Sequence, residues 1–439
     1  MNIKKYETCI SDDEYLKSNE IRIKSIPKRI ENRKIIFYPN ITYQTFLGFG
    51  GALTESTGFA FSKLSTENQD SILNDIISNK GLNYNFIRLP IGSSDFSLKP
   101  YSYAYKKDLS DFNISEDEKY ILPLLRKICE KKKNIGLISS PWSPPAFMKN
   151  THILTLGGSL KEKYYELYAE YIVKYIKEYE RNGFKIEYLT IQNEPNAIQK
   201  WESCLYSPEE EIRFATNYLY RKIKGQNLDT KLLIWDHNKD NLLERAEKEF
   251  RYDDAINKIA GIAFHYYSGD HFENIRLFSE KYPDKLLVAS EICTGINENI
   301  KDVKNGEIYA HDIIGDLNSG TNIYVDWNMI LEKNGGPNHK GNFCSSPLML
   351  NSDSSNYIKN PQYYYIQHFS RFIKPKAKRI AYSKFTENLE ITGFKNENES
   401  IVIVVLNKSQ YNEKVNFCIT DILIDDEIKA HSIVTYVIE

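Results

Sequence analysis

Cysteine is scarce in this 439-residue chain and offers no disulfide framework. The six cysteines lie far apart, and no Cys-x-x-Cys pair occurs. Residues 1–10 include two lysines but lack the apolar core of a signal peptide. We therefore expect free thiols and a cytoplasmic protein, or a secreted one if a signal peptide has been removed.

An excess of one charge and long apolar runs are also missing. Lysine and arginine number 57 against 59 aspartate and glutamate residues, which gives a net charge of −2. Such a balance provides no bulk attraction to nucleic acid or to an anionic membrane. No run approaches the roughly 20 apolar residues that span a bilayer. The sequence thus predicts neither a nucleic-acid partner nor an integral membrane segment, and it indicates no oligomeric state.

The eight histidines do not form a metal-binding pattern. Neither His-x-His nor His-Glu-x-x-His occurs in the chain. His237 and His265 lie on neighbouring predicted strands, but two histidines alone make a poor metal site. A glycine-rich phosphate loop is also missing near the seventh and eighth predicted strands. We expect no metal and no other cofactor.

What the chain does contain, from about residue 45, is a repeat of apolar strand, polar loop and helical segment. Right-handed βα units repeated eight times can close into a barrel. The sequence therefore predicts an α/β fold with a (β/α)8 TIM barrel over residues 45–370. Its predicted strands are 46–51, 86–92, 135–140, 189–192, 231–236, 261–267, 285–291 and 322–328.

After about residue 370 the pattern changes to short strands joined by polar turns. This predicts an additional all-β sandwich domain over residues 371–439. Residues 1–44 are expected to add strands at 21–26 and 34–38 to this domain, while the polar stretch 1–20 is expected to be loosely ordered. The predicted C-terminal strands are 378–382, 389–395, 400–406, 414–419 and 431–438.

Two glutamates stand at the ends of predicted barrel strands. Glu194 follows strand 189–192 and precedes Pro195, which cannot continue a central strand because it has no N–H. Glu291 ends strand 285–291. Active sites of such barrels lie at the C-terminal ends of the strands, so both carboxylates are expected in one cleft. Glycoside hydrolysis generally requires a pair of carboxyl groups on either side of the bond that is cleaved. Other polar and aromatic residues recur at the same strand ends, namely Arg88, Trp142, Asn193, His265, Tyr267 and Trp327.

Several motifs resemble those of one known family. They are GFGGALTE (48–55), RLPIGSSDFS (88–97), SPWSPP (140–145), QNEP (192–195), ASE (289–291), DWN (326–328) and GGPN (335–338). In this order they resemble glycoside hydrolase family 30, and within it the glucosylceramidase (glucocerebrosidase) branch. The segment 431–436 is similar to the last strand of that family. The loops after Trp142 and at 334–342 differ in detail.

The resemblance implies a retaining β-glycosidase that acts on β-glucosides without a cofactor. Glu291 corresponds to the nucleophile and Glu194 to the general acid/base, with the two carboxyl groups about 5–5.5 Å apart. A neighbouring carboxylate and partial burial are expected to raise the pKa of Glu194. Arg88 is expected to hold Glu291 ionised through a charge-assisted pair.

The resemblance also implies a carbohydrate-binding set around these glutamates. Asn193 would donate to the sugar 2-hydroxyl, Asp95 would accept from the far hydroxyls, and Tyr267 would hydrogen-bond Glu291. For His265, a substrate contact and a satisfied core histidine remain alternatives. The full predicted substrate-binding set is Asp95, Trp142, Asn193, His265, Tyr267, Trp327 and Asn342.

The substrate itself stays open at this point. A β-1,6-glucanase, β-xylosidase or β-fucosidase would use the same fold, because pocket loops decide the choice. A non-catalytic carbohydrate-binding barrel would lack one carboxylate, and both are present. A lipid aglycone would need an exposed apolar rim. Residues 147–148 and 153–154 are candidates for this rim, although ordinary packing explains them equally well.

Overall fold

The computed structural model describes residues 2–21, 24–25, 33–296, 299 and 302–439.

Two N-terminal strands form an ordered hairpin. The expectation of a loosely ordered stretch at 1–20 is wrong, because its first strand pairs with the last strand of the chain and buries Ile3 and Cys9. Half of the predicted strand 21–26, namely residues 22, 23 and 26, lies outside the described residues. The first four strands are β1 (Ile3–Cys9), β2 (Glu14–Glu20), β3 (Lys24–Ser25) and β4 (Lys34–Thr45).

Eight parallel strands close the barrel that the sequence predicts. They are β5 (Gly48–Ala52), β6 (Phe86–Ile91), β7 (Gly136–Pro141), β8 (Tyr188–Thr190), β9 (Lys231–Asn238), β10 (Ile259–His265), β11 (Leu286–Glu291) and β12 (Ile323–Asp326). The barrel closes where β12 pairs with β5. Glycine is required in β5, because a Cβ at Gly50 would lie 2.3 Å from the carbonyl oxygen of Phe86. The predicted α/β barrel is therefore confirmed.

Helices connect the barrel strands. They are α1 (Glu55–Ser62), α2 (Thr66–Ile77), α3 (Ile121–Lys131), α4 (Tyr165–Arg181), α5 (Pro208–Phe214), α6 (Tyr220–Gly225), α7 (Leu242–Glu249), α8 (Ala255–Lys258), α9 (Phe272–Lys281), α10 (Lys304–Ser319) and α11 (Pro361–Ser370). A π-helical segment, Ala215–Leu219, separates α5 from α6. Helix α5 begins with a capping box in which Ser207 and Glu210 satisfy each other's backbone N–H groups. No helix in the described ranges is both long and apolar enough to cross a membrane.

The C-terminal strands and the N-terminal strands share one sheet, as predicted. Its order is β2-β1-β21-β18-β17-β16-β4-β19-β20-β3. The new strands are β13 (Ile330–Leu331), β14 (Leu348–Leu350), β15 (Tyr357–Lys359), β16 (Lys378–Ser383), β17 (Leu389–Lys395), β18 (Ile401–Asn407), β19 (Glu413–Ile419), β20 (Ile422–Ile428) and β21 (Ser432–Ile438). Strands β13 to β15 form a separate small sheet.

Strand β18 shows how the two domains pack together. Its side chains alternate between the two faces of the sheet. Val402 and Val404 join the apolar cluster that includes the barrel helices, whereas Ile403 and Val405 join the sandwich's own core. The sandwich thus packs directly against the barrel.

Candidate active site

A pocket of about 360 Å³ opens at the C-terminal ends of the barrel strands. Most of the residues predicted for the site line it, and the structure places Arg88 and His265 beneath it, fully buried. The lining members of the predicted set are Asp95, Trp142, Asn193, Glu194, Tyr267, Glu291, Trp327 and Asn342.

The two glutamates face each other across the pocket floor. Glu291 is the last residue of β11, and Glu194 follows β8. One carboxylate oxygen of each lies within 4.8 Å of the other. The backbone N–H of Glu194 donates to the carbonyl oxygen of Asp236 at 3.0 Å, which fixes the glutamate against the end of β9.

Backbone strain accompanies this placement. Glu194 has φ 50°, Trp235 φ 73° and Asp236 φ 52°, all in the left-handed region that non-glycine residues rarely adopt. Such conformations cost of order 1–3 kcal/mol each and persist where the surroundings hold them. Here the N–H of Trp235 donates to Glu211 at 2.9 Å. Two of the three residues, Glu194 and Asp236, belong to the network around the paired glutamates.

Arg88 in β6 is the buried cation below the pocket. Its Nη1 donates to Glu291 at 2.6 Å, and its Nη2 donates to Asn193 at 2.8 Å and to Asp236 at 2.9 Å. Burial lowers the pKa of Arg88, but the charges of Asp236 and Glu291 outweigh this and raise it. The predicted Arg88–Glu291 pair is therefore present. Because Arg88 occupies the Asn193 oxygen, the amide NH2 is left to donate to a sugar.

Asp236 is a member of this network that the sequence analysis missed. It accepts hydrogen bonds from Arg88, Thr190, Ser290 and His265. Burial alone would raise its pKa, but Arg88 and His265 hold it well below its usual range. Its position at the end of a predicted strand, as for Glu194, was a signal that could have found it.

His265 contacts Glu194 and Asp236 and does not line the pocket. It is fully buried, with Nδ1 3.4 Å from Glu194 and Nε2 3.1 Å from Asp236. Its predicted substrate contact does not fit this position, because it has no surface in the pocket. Burial lowers the pKa of His265, but Glu291 and the bonds to Asp236 and Glu194 raise it to about 10.

The charge on His265 reverses the expectation for Glu194. Burial raises the pKa of Glu194, but the hydrogen bond and charge of His265, helped by His237, lower it to about 2. The expectation of a raised pKa for Glu194 is therefore wrong. The raised pKa of His265 favours a proton on its ring at neutral pH, one hydrogen bond away from Glu194.

Glu194, His265 and Glu291 also place three potential ligand atoms within 4.8 Å of one another. A protonated imidazole has no free lone pair for a metal ion. With its pKa raised to about 10 and both ring nitrogens engaged, His265 is a poor metal ligand at neutral pH. The set is better suited to moving a proton than to holding a cation.

The remaining predicted residues line another part of the pocket. Trp142 and Trp327 stack with ring centroids 5.3 Å apart, and the Arg88 guanidinium lies 5.0 Å from the Trp142 ring. Asn338 and Asn342 both donate to Oδ2 of Asp95, at 3.2 and 3.1 Å. Neither amide uses Oδ1 of Asp95, which is left to accept from a sugar hydroxyl.

Loop residues complete the pocket, and sequence analysis did not find them. Gln199 donates to Glu194 Oε2 at 3.0 Å, while Trp201 and Phe343 add aromatic surface. Cys293 and Cys344 lie in the wall beside Glu291. These residues follow the strand ends by several positions, so no strand pattern indicates where their side chains point.

Asp95 should make substrate binding depend on pH. Burial raises its pKa to about 7, with the charges of Glu291 and Glu194 adding to this, although the bonds from Asn342 and Asn338 act in the opposite direction. As pH rises through about 7, Asp95 ionises and its bonds to sugar hydroxyls become charge-assisted. Since such bonds are stronger by roughly 1 kcal/mol, we expect kcat/KM for a β-glucoside to rise about fivefold.

The matched control is Asp95→Asn, which keeps the shape and cannot ionise. Its kcat/KM should be lower and should lose the step near pH 7. A step near pH 7 that persists unchanged in Asp95→Asn would assign the titration to another group.

Comparisons with known proteins agree with the two-domain fold. A family model described as the glycosyl hydrolase family 30 TIM-barrel domain matches residues 46–373, and one described as the family 30 beta sandwich domain matches residues 376–436. The lysosomal acid glucosylceramidase of Mus musculus is 31% identical over 409 residues, which cover 87% of this chain and 78% of that protein.

Two solved structures are similar along almost their whole length. The crystal structure of SrfJ from Salmonella typhimurium has a TM-score of 0.97 and 33% identity, covering 100% of this chain and 99% of that one. A solved endo-β1,6-glucanase has a TM-score of 0.90 and 28% identity, covering 99% of each chain. The chain therefore belongs to glycosyl hydrolase family 30 and is a glycosidase.

Proposed function

We propose that this protein is a retaining β-glycosidase that cleaves β-glucosidic bonds by double displacement. The observation that carries the proposal is the distance between Glu194 and Glu291, whose nearest ligand oxygens lie within 4.8 Å. Retaining enzymes hold their carboxyl groups about 5–5.5 Å apart, whereas inverting enzymes leave about 6.5–9.5 Å for a water molecule. The short separation favours direct attack by a carboxylate.

In the first step Glu291 attacks the anomeric carbon. Arg88 and Tyr267 donate to its two oxygens at 2.6 and 2.9 Å, which orients the carboxylate and keeps it ionised. The proton on His265 moves to Glu194 and from there to the leaving oxygen. A bound sugar favours this transfer, because it shields Glu194 further from solvent and desolvation disfavours the charged form of a carboxyl group.

In the second step water releases the sugar. Glu194 removes a proton from a water molecule, whose oxygen attacks the anomeric carbon as the Glu291 carboxylate departs. The proton then returns to His265, which restores the starting charges. Arg88 and Asp236 stay ionised throughout, since each is held by the charge of the other.

An apolar rim supports a glucosylceramide-like substrate. Ile153, Leu156 and Ile198 are exposed, and the N–H of Leu156 donates to the carbonyl of Gln199, a pocket residue, at 2.8 Å. An apolar patch beside a sugar pocket fits a glucoside with a lipid aglycone. Met148, also predicted for this rim, is fully buried and belongs to the core.

A β-1,6-glucanase is the second candidate. Trp201 and the half-exposed Phe343 line the pocket, and aromatic rings of this kind can stack on a second sugar. The likeness to a solved endo-β1,6-glucanase adds weight to this alternative.

A panel of p-nitrophenyl β-glucoside, β-xyloside, β-fucoside and β-galactoside tests the proposal. We expect the β-glucoside to be the best substrate, because Asp95 and Asn342 are placed to bind the hydroxyls remote from the reacting carbon. Glucosylceramide in micelles and a β-1,6-glucan then separate the two candidates. Release of glucose from the lipid alone supports the first, and digestion of the glucan alone supports the second. No turnover of any substrate would contradict the proposed function.

A further inference from the structure

Two free cysteines lie in the pocket wall without a role in the mechanism above. Cys293 follows the nucleophile Glu291 by two residues, and Cys344 belongs to the loop that carries Asn342. Both line the pocket, Cys293 half-buried and Cys344 buried. Their closeness to the nucleophile makes any change in their chemistry a change in the active site.

The backbone brings the two thiols to the same face. Thr294 and Ser345 form an antiparallel bridge, in which the N–H of Ser345 donates to the carbonyl oxygen of Thr294 at 2.8 Å. Because side chains alternate along extended chains, the preceding residues, Cys293 and Cys344, both point away from the side that Thr294 and Ser345 occupy. Cys293 packs against the apolar cluster that contains Cys344, so the two thiols lie in one small region of the pocket wall.

A tyrosine connects this thiol pair to the nucleophile. The hydroxyl of Tyr267 donates to Glu291 at 2.9 Å and lies 3.4 Å from the sulfur of Cys293. On the other side of the pocket, Asn342 donates to Asp95 from a position two residues before Cys344. A covalent link between the thiols would therefore join the nucleophile strand to the sugar-binding loop.

We propose, resting on the proposed glycosidase function, that Cys293 and Cys344 form an oxidisable dithiol site that hydroperoxides convert to a disulfide, which stops catalysis until a thiol reductant restores it. The disulfide would pull Cys293 away from Tyr267 and fix the loop of Asn342. Glu291 would lose its aligned hydrogen bond, and the pocket would lose its shape for the sugar.

The reaction has two balanced steps. The sulfur of Cys293, the more accessible of the two, attacks the peroxide, so that an S–O bond forms, the O–O bond breaks and an alcohol or water leaves. The sulfur of Cys344 then attacks the sulfenic acid, so that the S–S bond forms, the S–O bond breaks and water leaves with the thiol proton. The two sulfurs together supply the two electrons that reduce the hydroperoxide.

The order of these steps follows from the surroundings of the thiols. Burial raises the pKa of the Cys344 thiol well above its usual value, and the non-covalent interaction with Cys293 raises it further. A buried, protonated thiol is a slow nucleophile toward peroxide. Cys344 is therefore the resolving residue, and Cys293 is the residue that reacts first.

The experiment is treatment of the full-length protein with hydrogen peroxide, followed by alkylation and non-reducing peptide mapping by mass spectrometry. We expect a peptide pair linked through Cys293 and Cys344, a loss of p-nitrophenyl β-glucosidase activity of about tenfold or more, and recovery with dithiothreitol. Cys293→Ser should be far less sensitive to peroxide, relative to its own untreated activity. Cys344→Ser should be inactivated without the linked peptide and recover less fully.

Cys129→Ser is the matched control, because Cys129 is a partly exposed cysteine on α3, outside the pocket. It should form the link as the unchanged protein does. Absence of the linked peptide while Cys129 is oxidised would overturn the proposal, as would equal inactivation of Cys293→Ser. Peptide mapping does not depend on turnover. A linked peptide in a protein inactive on every glycoside would therefore support the dithiol site and contradict the proposed function.

Discussion

Replacing Glu291 by glutamine should reduce the kcat of β-glucoside hydrolysis by at least about 1,000-fold, equivalent to roughly 4 kcal/mol in transition-state free energy. An amide is a far weaker nucleophile than a carboxylate, so the glycosyl intermediate would not form. Glutamine keeps the shape: its single carbonyl oxygen can still accept from Arg88, and its NH2 group can donate to the Tyr267 hydroxyl, where both partners contact Glu291 in the unchanged protein. The loss should therefore appear in kcat, with the fold intact by circular dichroism and thermal unfolding.

The control is Glu244→Gln, a change of the same chemistry on the exposed face of α7. Glu244 pairs there with Lys248, and its side chain is 65% exposed. Exposed pairs contribute about 0–1 kcal/mol, so activity and melting temperature should hardly change. Residual activity of Glu291→Gln above about one tenth of that of the unchanged protein would exclude Glu291 as the nucleophile.

Replacing Glu194 by alanine should have an effect that depends on the leaving group. General acid–base catalysis contributes about 100- to 10,000-fold, and alkyl glucosides need all of it because an alkoxide leaves poorly. A dinitrophenyl glucoside needs little protonation, so its first step should be slowed much less. Its second step still requires a base, and the glycosyl intermediate should therefore accumulate.

Azide provides the second readout for Glu194. As a nucleophile that needs no base, azide should speed turnover of the dinitrophenyl glucoside by Glu194→Ala and give a glycosyl azide of retained configuration. The same addition should have no such effect on Glu291→Gln. Equal losses on alkyl and dinitrophenyl substrates, with no response to azide, would contradict the acid/base role. Glu244→Ala, on the surface of α7, is the matched control.

Local patterns in the sequence were sufficient to predict the fold and the position of the two glutamates at the ends of barrel strands. Apolar runs that end in polar residues mark the barrel strands, and the active face follows because parallel strands share one C-terminal edge. The ends of β8 and β11 therefore place Glu194 and Glu291 in the same pocket. Strand β1 was missed because its alternation is weak, and its order depends on pairing with β21.

The ionisation states of the residues in the site could be learned only from the tertiary structure. The pKa of Glu194 depends on the sum of burial and the charges of His265 and His237, which come from different strands. A sequence shows each of these groups but not the distances between them, and electrostatic energies depend directly on distance and burial. The lowered pKa of Glu194 therefore could not be read from the motif that contains it.

The paths of the pocket loops, and the contacts of their side chains, also depend on the tertiary structure. Gln199 reaches Glu194, and Cys293 meets Cys344, through loop paths that the packing of neighbouring loops determines. The alternation of side chains along strands carries no information about such paths. Loop backbones follow neither the two-residue repeat of a strand nor the 3.6-residue repeat of a helix. The sequence by itself determined which fold forms and which two carboxylates stand at its active face. The three-dimensional packing decided where the protons lie and what surrounds the sugar, because both depend on contacts between residues far apart in the chain.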